Sequence, residues 1–588
     1  MARVANVQLE SPLIALDRLF DYLIPEELAD IALPGVRVQV PLRSQTLSGF
    51  IVDVQESSEF SGKLDKIEQV ISPVQVLQPA IFKLATELAK RYVSTVSAVL
   101  KLAIPNRSVR VEKQWLKQQE NGQSAVSTDV EVASSLQHLI TQSSGSEYPI
   151  SPSDLIGTSA RVYLEPRSYF TNSDTFRPWV TQFAKLASAV IANQQSVIIC
   201  VPSWREINEL EAFFKQAGLE KLLVRTDTKQ TPPERYQNFL NALQDEPKIL
   251  LGNRSVLLAP AANLGAILVW DEADSAHDEM MAPYYTSSIV AMQRAQLQQC
   301  ALIFSSHARS TEIQRLLDLG WLVPIIPKIR RTPNVVIDDS SFSSKIPGMS
   351  FAGIREGLKN GSVLIQVRAG RNQNSGEYGT SELAAEIGKA FPGKRVMVSD
   401  ALRPLEQAPE KNTIVISAVG SEPSVNSGYQ SIVLLDGMKM LARDGLRIRE
   451  ESIRIWMNAA ALVAESGRVF LVNVDGNIGR SLVTWNSERI ANEELQSRIP
   501  LGMPPVRRSV SVFSSKAKLR QVEALLPKTC TSFWVPDTQG SKLVVLFDYK
   551  IGEEMSSLFR NILVKDSAGS RVKNADKIRV RFDDPEVF

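Results

Sequence analysis

An apolar run from Ala266 to Trp270 ends on Asp271-Glu272-Ala273-Asp274, and this junction constrains the chain more than any other segment. Five consecutive apolar residues without polar alternation read as a strand buried on both faces, as in a parallel sheet covered by helices. Such sheets handle ligands at the carboxyl ends of their strands. A carboxylate placed there can hold Mg²⁺ for a nucleotide, and a neighbour can polarise the attacking water. Asp271 and Glu272 therefore form half of a nucleotide-hydrolysing site. Two carboxylates at a strand end can equally cap the helix that follows.

The other half is missing. A phosphate cradle needs G-x-x-x-x-G-K-[ST] between a strand and a helix, so that backbone N–H groups and the helix N-terminus face the anion. The nearest match is Gly388-Lys-Ala-Phe-Pro-Gly393-Lys394-Arg395, with Arg395 where a Mg²⁺-binding hydroxyl belongs. Its context is reversed, since a helix pattern (Ser381 to Ala390) precedes it and a strand (Arg395 to Val398) follows. The expected place, just after Arg161 at the start of the first α/β unit, has no glycine from Arg161 to Ala217. Asp271 and Glu272 are thus predicted to be a degenerate nucleotide site, and no catalytic residue is assigned.

From Arg161 onward, apolar strands alternate with amphipathic helices, which is the rhythm of a doubly wound sheet. Strands are predicted at Ser196–Pro202, Leu222–Arg225, Lys248–Leu251, Ile267–Trp270 and Ala301–Phe304. A second unit over 334–475 has strands at Val363–Val367, Val396–Ser399, Thr413–Ser417, Ser431–Leu435 and Val469–Val474. The first hundred residues alternate instead as strands at Val4–Leu9, Gly35–Pro41 and Leu47–Val54, followed by a helix over Pro79–Tyr92. Residues 119–153 are rich in Ser, Gln, Asn and Gly, with one weak helix at Val130–Ile140, and read as a linker or an eroded small domain. An α+β segment follows Pro504-Pro505.

With 588 residues the chain holds several domains. Its net charge of +2 gives no global field for nucleic acid, so any such surface is local. Three widely spaced cysteines (Cys200, Cys300, Cys530) supply neither a disulfide framework nor a zinc set, and no apolar run approaches a membrane span. A cytoplasmic protein is expected. His277 and His307 could face each other across a cleft, but separate, satisfied loop histidines are the expectation.

A set of short motifs runs along the chain: Leu19-Phe20-Asp21-Tyr22 with Pro25 and Gly35–Pro41, then Gly252-Asn-Arg-Ser255, Asn263-Leu-Gly265, Pro283-Tyr284, Arg294-Ala295 and Ser305–Glu312. Arg331-Thr-Pro333, Asp444 with Arg447 and Glu450, Glu494–Arg498 and Pro504-Pro505 follow. Their collinear order resembles the primosomal protein N′ family, the bacterial replication-restart DNA helicases. The resemblance implies an α/β chain with two helicase-like (RecA-like) lobes between a β-rich N-terminal 3′-end DNA-binding domain and a C-terminal α+β domain. The boundaries follow as 1–105 for the DNA-end domain, 106–158 for a linker or eroded winged-helix region, and 159–330 for the first lobe. The second lobe takes 331–500 and the last domain 501–588. It further implies that Phe20, Asp21, Tyr22 and Arg43 line a pocket for a DNA 3′ terminus, Arg43 or Ser44 standing where the family has a glycine. On the residues alone, Phe20 and Tyr22 could be alternating strand residues and Asp21 a turn residue.

Departures from the family are as informative. Its zinc domain should begin after Val367-Arg-Ala-Gly-Arg371, but the short segment Asn372–Thr380 leads straight to the next helix. Its arginine finger near Trp456 is replaced by Met457-Asn-Ala-Ala-Ala-Leu-Val463. The pattern is similar to reduced actinobacterial-type variants. Although the family uses ATP, Mg²⁺ and zinc, no cofactor is predicted here. Arg107, Arg110, Lys113 and Lys117 around Trp115, and Lys328, Arg330 and Arg331 at the lobe junction, are candidate DNA-backbone contacts. The expected function is recognition of abandoned forks and primosome assembly without helicase activity. The alternatives are an active 3′-5′ helicase with a cryptic nucleotide site and an interaction scaffold that does not bind DNA. Expected partners are forked or single-stranded DNA, restart and primosome proteins and single-stranded DNA-binding protein, with no membrane.

Overall fold

The three N-terminal strands form at Val4–Leu9, Arg37–Leu42 and Gln45–Gln55 in a computed structural model of the chain. The structure describes residues 3–121, 148, 152–171, 174–227, 229–339, 345–368, 379–537, 540–569 and 577–587. The predicted helix at Val130–Ile140 and the segment replacing the zinc domain fall largely outside them. Two further strands, Leu19–Leu23 and Gln69–Ser72, complete an antiparallel sheet in the order Leu19–Leu23, Val4–Leu9, Gln45–Gln55, Arg37–Leu42, Gln69–Ser72. Alternate residues (Ala5, Val7, Leu9, Tyr22, Val38, Val40) turn inward to one core.

The helix Pro79–Tyr92 forms with the predicted bounds and buries Ile81, Leu84, Ala85, Leu88, Ala89 and Tyr92, the apolar stripe of a 3.6-residue period. It stops where Val93 turns left-handed (φ 52°). A second helix, Val96–Ala103, then starts on the Thr95 hydroxyl, which accepts the Ala98 N–H at 3.1 Å. A third runs from Val109 to Glu120.

The first lobe is a seven-stranded, all-parallel sheet. Its order is Val323–Ile325, Arg161–Leu164, Ala301–Ser305, Leu264–Trp270, Ser196–Cys200, Ile249–Gly252, Leu223–Thr226. Every residue of Leu264–Trp270 is buried, as its unbroken apolar run requires, and Trp270 stacks on Trp179 at 4.2 Å between ring centroids. The second lobe is a six-stranded parallel sheet, ordered Asn334–Asp338, Val463–Val472, Tyr429–Leu434, Val363–Val367, Thr413–Ala418, Arg395–Ser399. The helix Thr380–Ala390 contains Gly388, and Gly393 lies between it and the strand Arg395–Ser399, so helix precedes strand as the sequence pattern predicts.

The last domain is a four-stranded antiparallel sheet with helices Lys516–Ala524 and Gly552–Gly569. It docks on the N-terminal domain through Arg560–Asp17 (2.7 Å), Arg91–Asp583 (3.1 Å) and Lys90–Glu553 (2.7 Å). No described helix is long and apolar enough to cross a membrane.

Candidate DNA-end site and interlobe cleft

The strand Leu264–Trp270 delivers Asp271 to the boundary between the lobes, where its backbone turns left-handed (φ 51°). Asp271 is buried, and its Oδ2 accepts from Arg454 Nη1 at 2.6 Å and Asn458 Nδ2 at 2.7 Å. Both donors lie on the second-lobe helix Ile448–Ala460. Arg454 Nη1 also donates to Asp274 Oδ2 at 3.0 Å, while Asp274 Oδ1 accepts from the Ala276 N–H at 2.8 Å. Burial pushes the Asp271 carboxyl above its ordinary value, with Arg454 opposing. At Asp274 burial works the same way, but Arg454 and the Ala276 N–H win and hold it below. Glu272 is buried, and burial pushes its carboxyl up to about 8, with the Ser310 side chain opposing. The sequence reading began this stretch at Met457, so it left out Arg454 and gave Asn458 no role. No spacing rule points to a partner across the cleft.

The phosphate side is also filled by the chain. Between strand Arg161–Leu164 and helix Pro178–Ala192, the connection crosses to the second lobe, where the Phe170 N–H donates to the Val463 carbonyl at 3.1 Å. The helix opens on Pro178, which has no N–H to offer. The Arg177 N–H ahead of it donates to Glu209 Oε1 at 3.0 Å, and Arg177 Nε pairs with Glu209 Oε2 at 2.5 Å. A cavity of about 390 Å³ remains between the lobes, lined by Arg177, Glu206, Glu209, Asp271, Arg454 and Asn458 among others.

The two histidines contact different groups. His277 Nε2 lies 2.9 Å from the Trp270 carbonyl, and burial lowers the His277 ring below its ordinary value. His307 packs edge-on against the Trp270 ring, and burial, helped by Arg177, lowers it to about 3. Among the described residues no cluster of His, Cys, Asp and Glu could hold a metal.

In the N-terminal domain Phe20, Asp21 and Tyr22 all lie within Leu19–Leu23, so Asp21 is a strand residue and not a turn residue. The period of two places Phe20 and Tyr22 toward the core and Asp21 on the opposite face. Tyr22 is buried, its hydroxyl donates to the Pro41 carbonyl at 3.0 Å, and burial pushes that hydroxyl up to about 12. Phe20 is half-buried under the Arg18 guanidinium, 4.8 Å from its ring centroid. The strand therefore separates Phe20 from Asp21.

Asp21 Oδ1 accepts from Asn6 Nδ2 at 2.7 Å and Oδ2 from the Ser58 hydroxyl. Ser58 Oγ in turn accepts the Phe60 N–H at 3.0 Å, and Phe60 is 62% exposed. A Cβ on Gly62 would stand 2.5 Å from the Phe60 ring, so the ring rests on that glycine. Phe60 was not among the sequence candidates, because a lone Phe in a polar segment carries no pattern. Arg43 is exposed in the hairpin turn after Arg37–Leu42 with φ 57°, a conformation glycine adopts readily.

The basic clusters are corrected in part. Arg107 is held by Glu112 in a fork, Nη2 to Oε1 at 2.6 Å and Nε to Oε2 at 3.0 Å, and the Tyr236 hydroxyl also donates to Glu112. It is committed to a buried carboxylate and is not a free cation. Trp115 packs inward, so the basic residues do not surround it. Arg110, Lys113 and Lys117 share the exposed face of Val109–Glu120 and carry no ion pair among the described residues. At the lobe junction Arg330 pairs with Glu165 (2.6 Å) and Arg331 with Glu465 (3.5 Å).

Residues 6–105 match the PriA 3′DNA-binding domain (3′BD) family model. "Probable replication restart protein PriA" of Mycobacterium tuberculosis H37Rv is 29% identical over 595 residues, covering 87% of this chain and 86% of that one. The protein of that name from Mycobacterium leprae is 27% identical, covering 87% and 88%. The chain is similar over most of its length to replication restart proteins named PriA. The replication restart protein PriA of Treponema pallidum is 23% identical over 54% of this chain and 45% of its own length. The PriA 3′BD match includes Phe20, Asp21, Tyr22, Arg43, Ser58 and Phe60.

Proposed function

We propose that this chain recognises the free 3′ end of a nascent strand at an abandoned replication fork and supports restart there without unwinding DNA itself. The observation that carries this reading is Asp21, held by Asn6 and Ser58 on the outer face of an edge strand in a 3′DNA-binding domain. Each carboxylate oxygen has one partner, which leaves a lone pair on each for a terminal hydroxyl. Phe60, whose N–H donates to the Ser58 hydroxyl that serves this carboxylate, offers an exposed ring for the terminal base. Arg43 and the stripe Arg110, Lys113, Lys117 supply end-independent phosphate contacts. Primosome proteins and single-stranded DNA-binding protein are the proposed partners, and a restart role of this kind is cytoplasmic. Arg454 on Asp271 and Glu209 on Arg177 favour a protein with no nucleotide-driven motor.

The test compares forks whose leading strand ends in a 3′-hydroxyl or a 3′-phosphate. A hydrogen bond to a charged group contributes about 1.5–3 kcal/mol, so wild type should prefer the free end by roughly tenfold or more. Asp21→Ala should bind both forks alike. Equal affinity of the wild type for both forks would refute the reading.

A further inference from the structure

In a nucleotide-driven pair of lobes, closure depends on a ligand between them: a metal on strand-end carboxylates and phosphates on a helix N-terminus. Here side chains of the protein take up both positions. The Arg454 guanidinium bridges Asp271 and Asp274, and Asn458 takes the same Asp271 oxygen. Glu209 supplies the anion at the Arg177 N–H. A metal arriving at Asp271 Oδ2, the oxygen that Arg454 and Asn458 share, would have to displace Arg454 and leave a guanidinium buried with less of its counter-charge.

The lobes are joined around this centre. The Thr311 N–H and hydroxyl donate to Glu450 of the second lobe, which is held from its other oxygen by the buried Arg498 at 2.6 Å. The Arg309 N–H donates to Ser487 Oγ at 2.9 Å, and Arg447 pairs with Glu312. Tyr169, Phe170 and Ala308 of the first lobe are buried in one apolar cluster with Tyr429, Trp456, Val463 and Trp485 of the second. Two effects divide the work. Apolar burial is favourable by roughly 25 cal/mol per Å² and drives the lobes together. A buried ion pair adds little net energy, because opening rehydrates both partners, but it fixes one register.

We propose that Arg454 is a resident cation standing in for a metal–nucleotide, so that the two lobes stay closed in a single arrangement with no ligand between them. The chain then presents one fixed interlobe surface, where a motor would alternate between two. This inference is independent of the fork-end reading.

The test uses the full-length protein with nitroxides on Asp245→Cys and Ala352→Cys, exposed positions on the two lobes, in a Cys530→Ser background. Pulsed electron spin resonance should give one narrow distance, unchanged by millimolar Mg²⁺ with ATP or a non-hydrolysable analogue. A bimodal or broad distribution, or a shift with nucleotide, would overturn the proposal. Arg454→Gln should add a population at longer distance. Should that variant fail to fold, Asp271→Asn/Arg454→Gln leaves no charge unpaired between these two positions and should broaden the distribution, because the pair that fixes the register is gone. A distribution matching wild type in the folded variant would remove Arg454 from the role. Fork binding measured on the same labelled protein separates the two readings, since end discrimination can be lost with the interlobe distance intact.

Discussion

Replacing Arg107 by Ala should destabilise the protein and leave its salt-dependent DNA binding alone. Arg107 reaches Glu112 through Nη2 and Nε, and the Glu112 side chain is 1% exposed against 24% for Arg107. Without Arg107 the carboxylate keeps only hydroxyl partners, Tyr236 and Ser72. Removing one partner of a fully buried pair costs about 3–5 kcal/mol. Water reaches the Arg107 side of this pair, so roughly 2–3 kcal/mol is the expected loss at neutral pH. Burial pushes the Glu112 carboxyl up, but the Arg107, Tyr236 and Ser72 hydrogen bonds outweigh it and hold the group below its ordinary value. A depressed carboxyl contributes stability above its unfolded pKa of about 4.3 and loses it as pH falls through the folded value. The gap between wild type and Arg107→Ala should therefore be full at pH 7 and close as the pH drops below about 4. Denaturant midpoints at both pH values measure it. Fork affinity against salt supplies the second arm: Lys113→Ala should reduce the log–log slope by about 0.9, while Arg107→Ala leaves it unchanged. A slope reduced by Arg107→Ala with no loss of stability would return Arg107 to the DNA surface and refute the argument.

The chain should show no DNA-stimulated ATP hydrolysis, since Arg454 and Asn458 occupy Asp271; turnover on the order of 1 s⁻¹, abolished by Asp271→Asn, would contradict this. Glu272→Gln should stabilise the protein increasingly with pH. The Glu272 carboxyl is raised to about 8 by burial, so its ionisation cost grows from the unfolded pKa upward and is complete above about pH 8. A thermal midpoint gain that is larger at pH 6 than at pH 9 would show the sign to be wrong.

The rhythm of apolar runs determined both parallel sheets, because a strand buried on two faces must be apolar throughout, as Leu264–Trp270 and Val363–Val367 are. The helix Pro79–Tyr92 was equally legible from its stripe. Its successor Val96–Ala103 was not, since a left-handed Val93 carries no composition signal. Leu19–Leu23 was recognisable by resemblance, but only its pairing with Val4–Leu9 shows that Phe20 and Asp21 face opposite ways and that Ser58 and Phe60 are the neighbours of Asp21. Charge in sequence is likewise ambiguous between a solvated face and a buried pair: Arg107 and Lys113 look alike until Glu112 and Tyr236 close on one of them. The absence of a phosphate cradle was plain from missing glycines between Arg161 and Ala217. What stands at the metal position was decided by the docking of the two lobes. Asp271 and Arg454 are 183 residues apart, and an ion pair across such a separation leaves no periodicity for a sequence to carry.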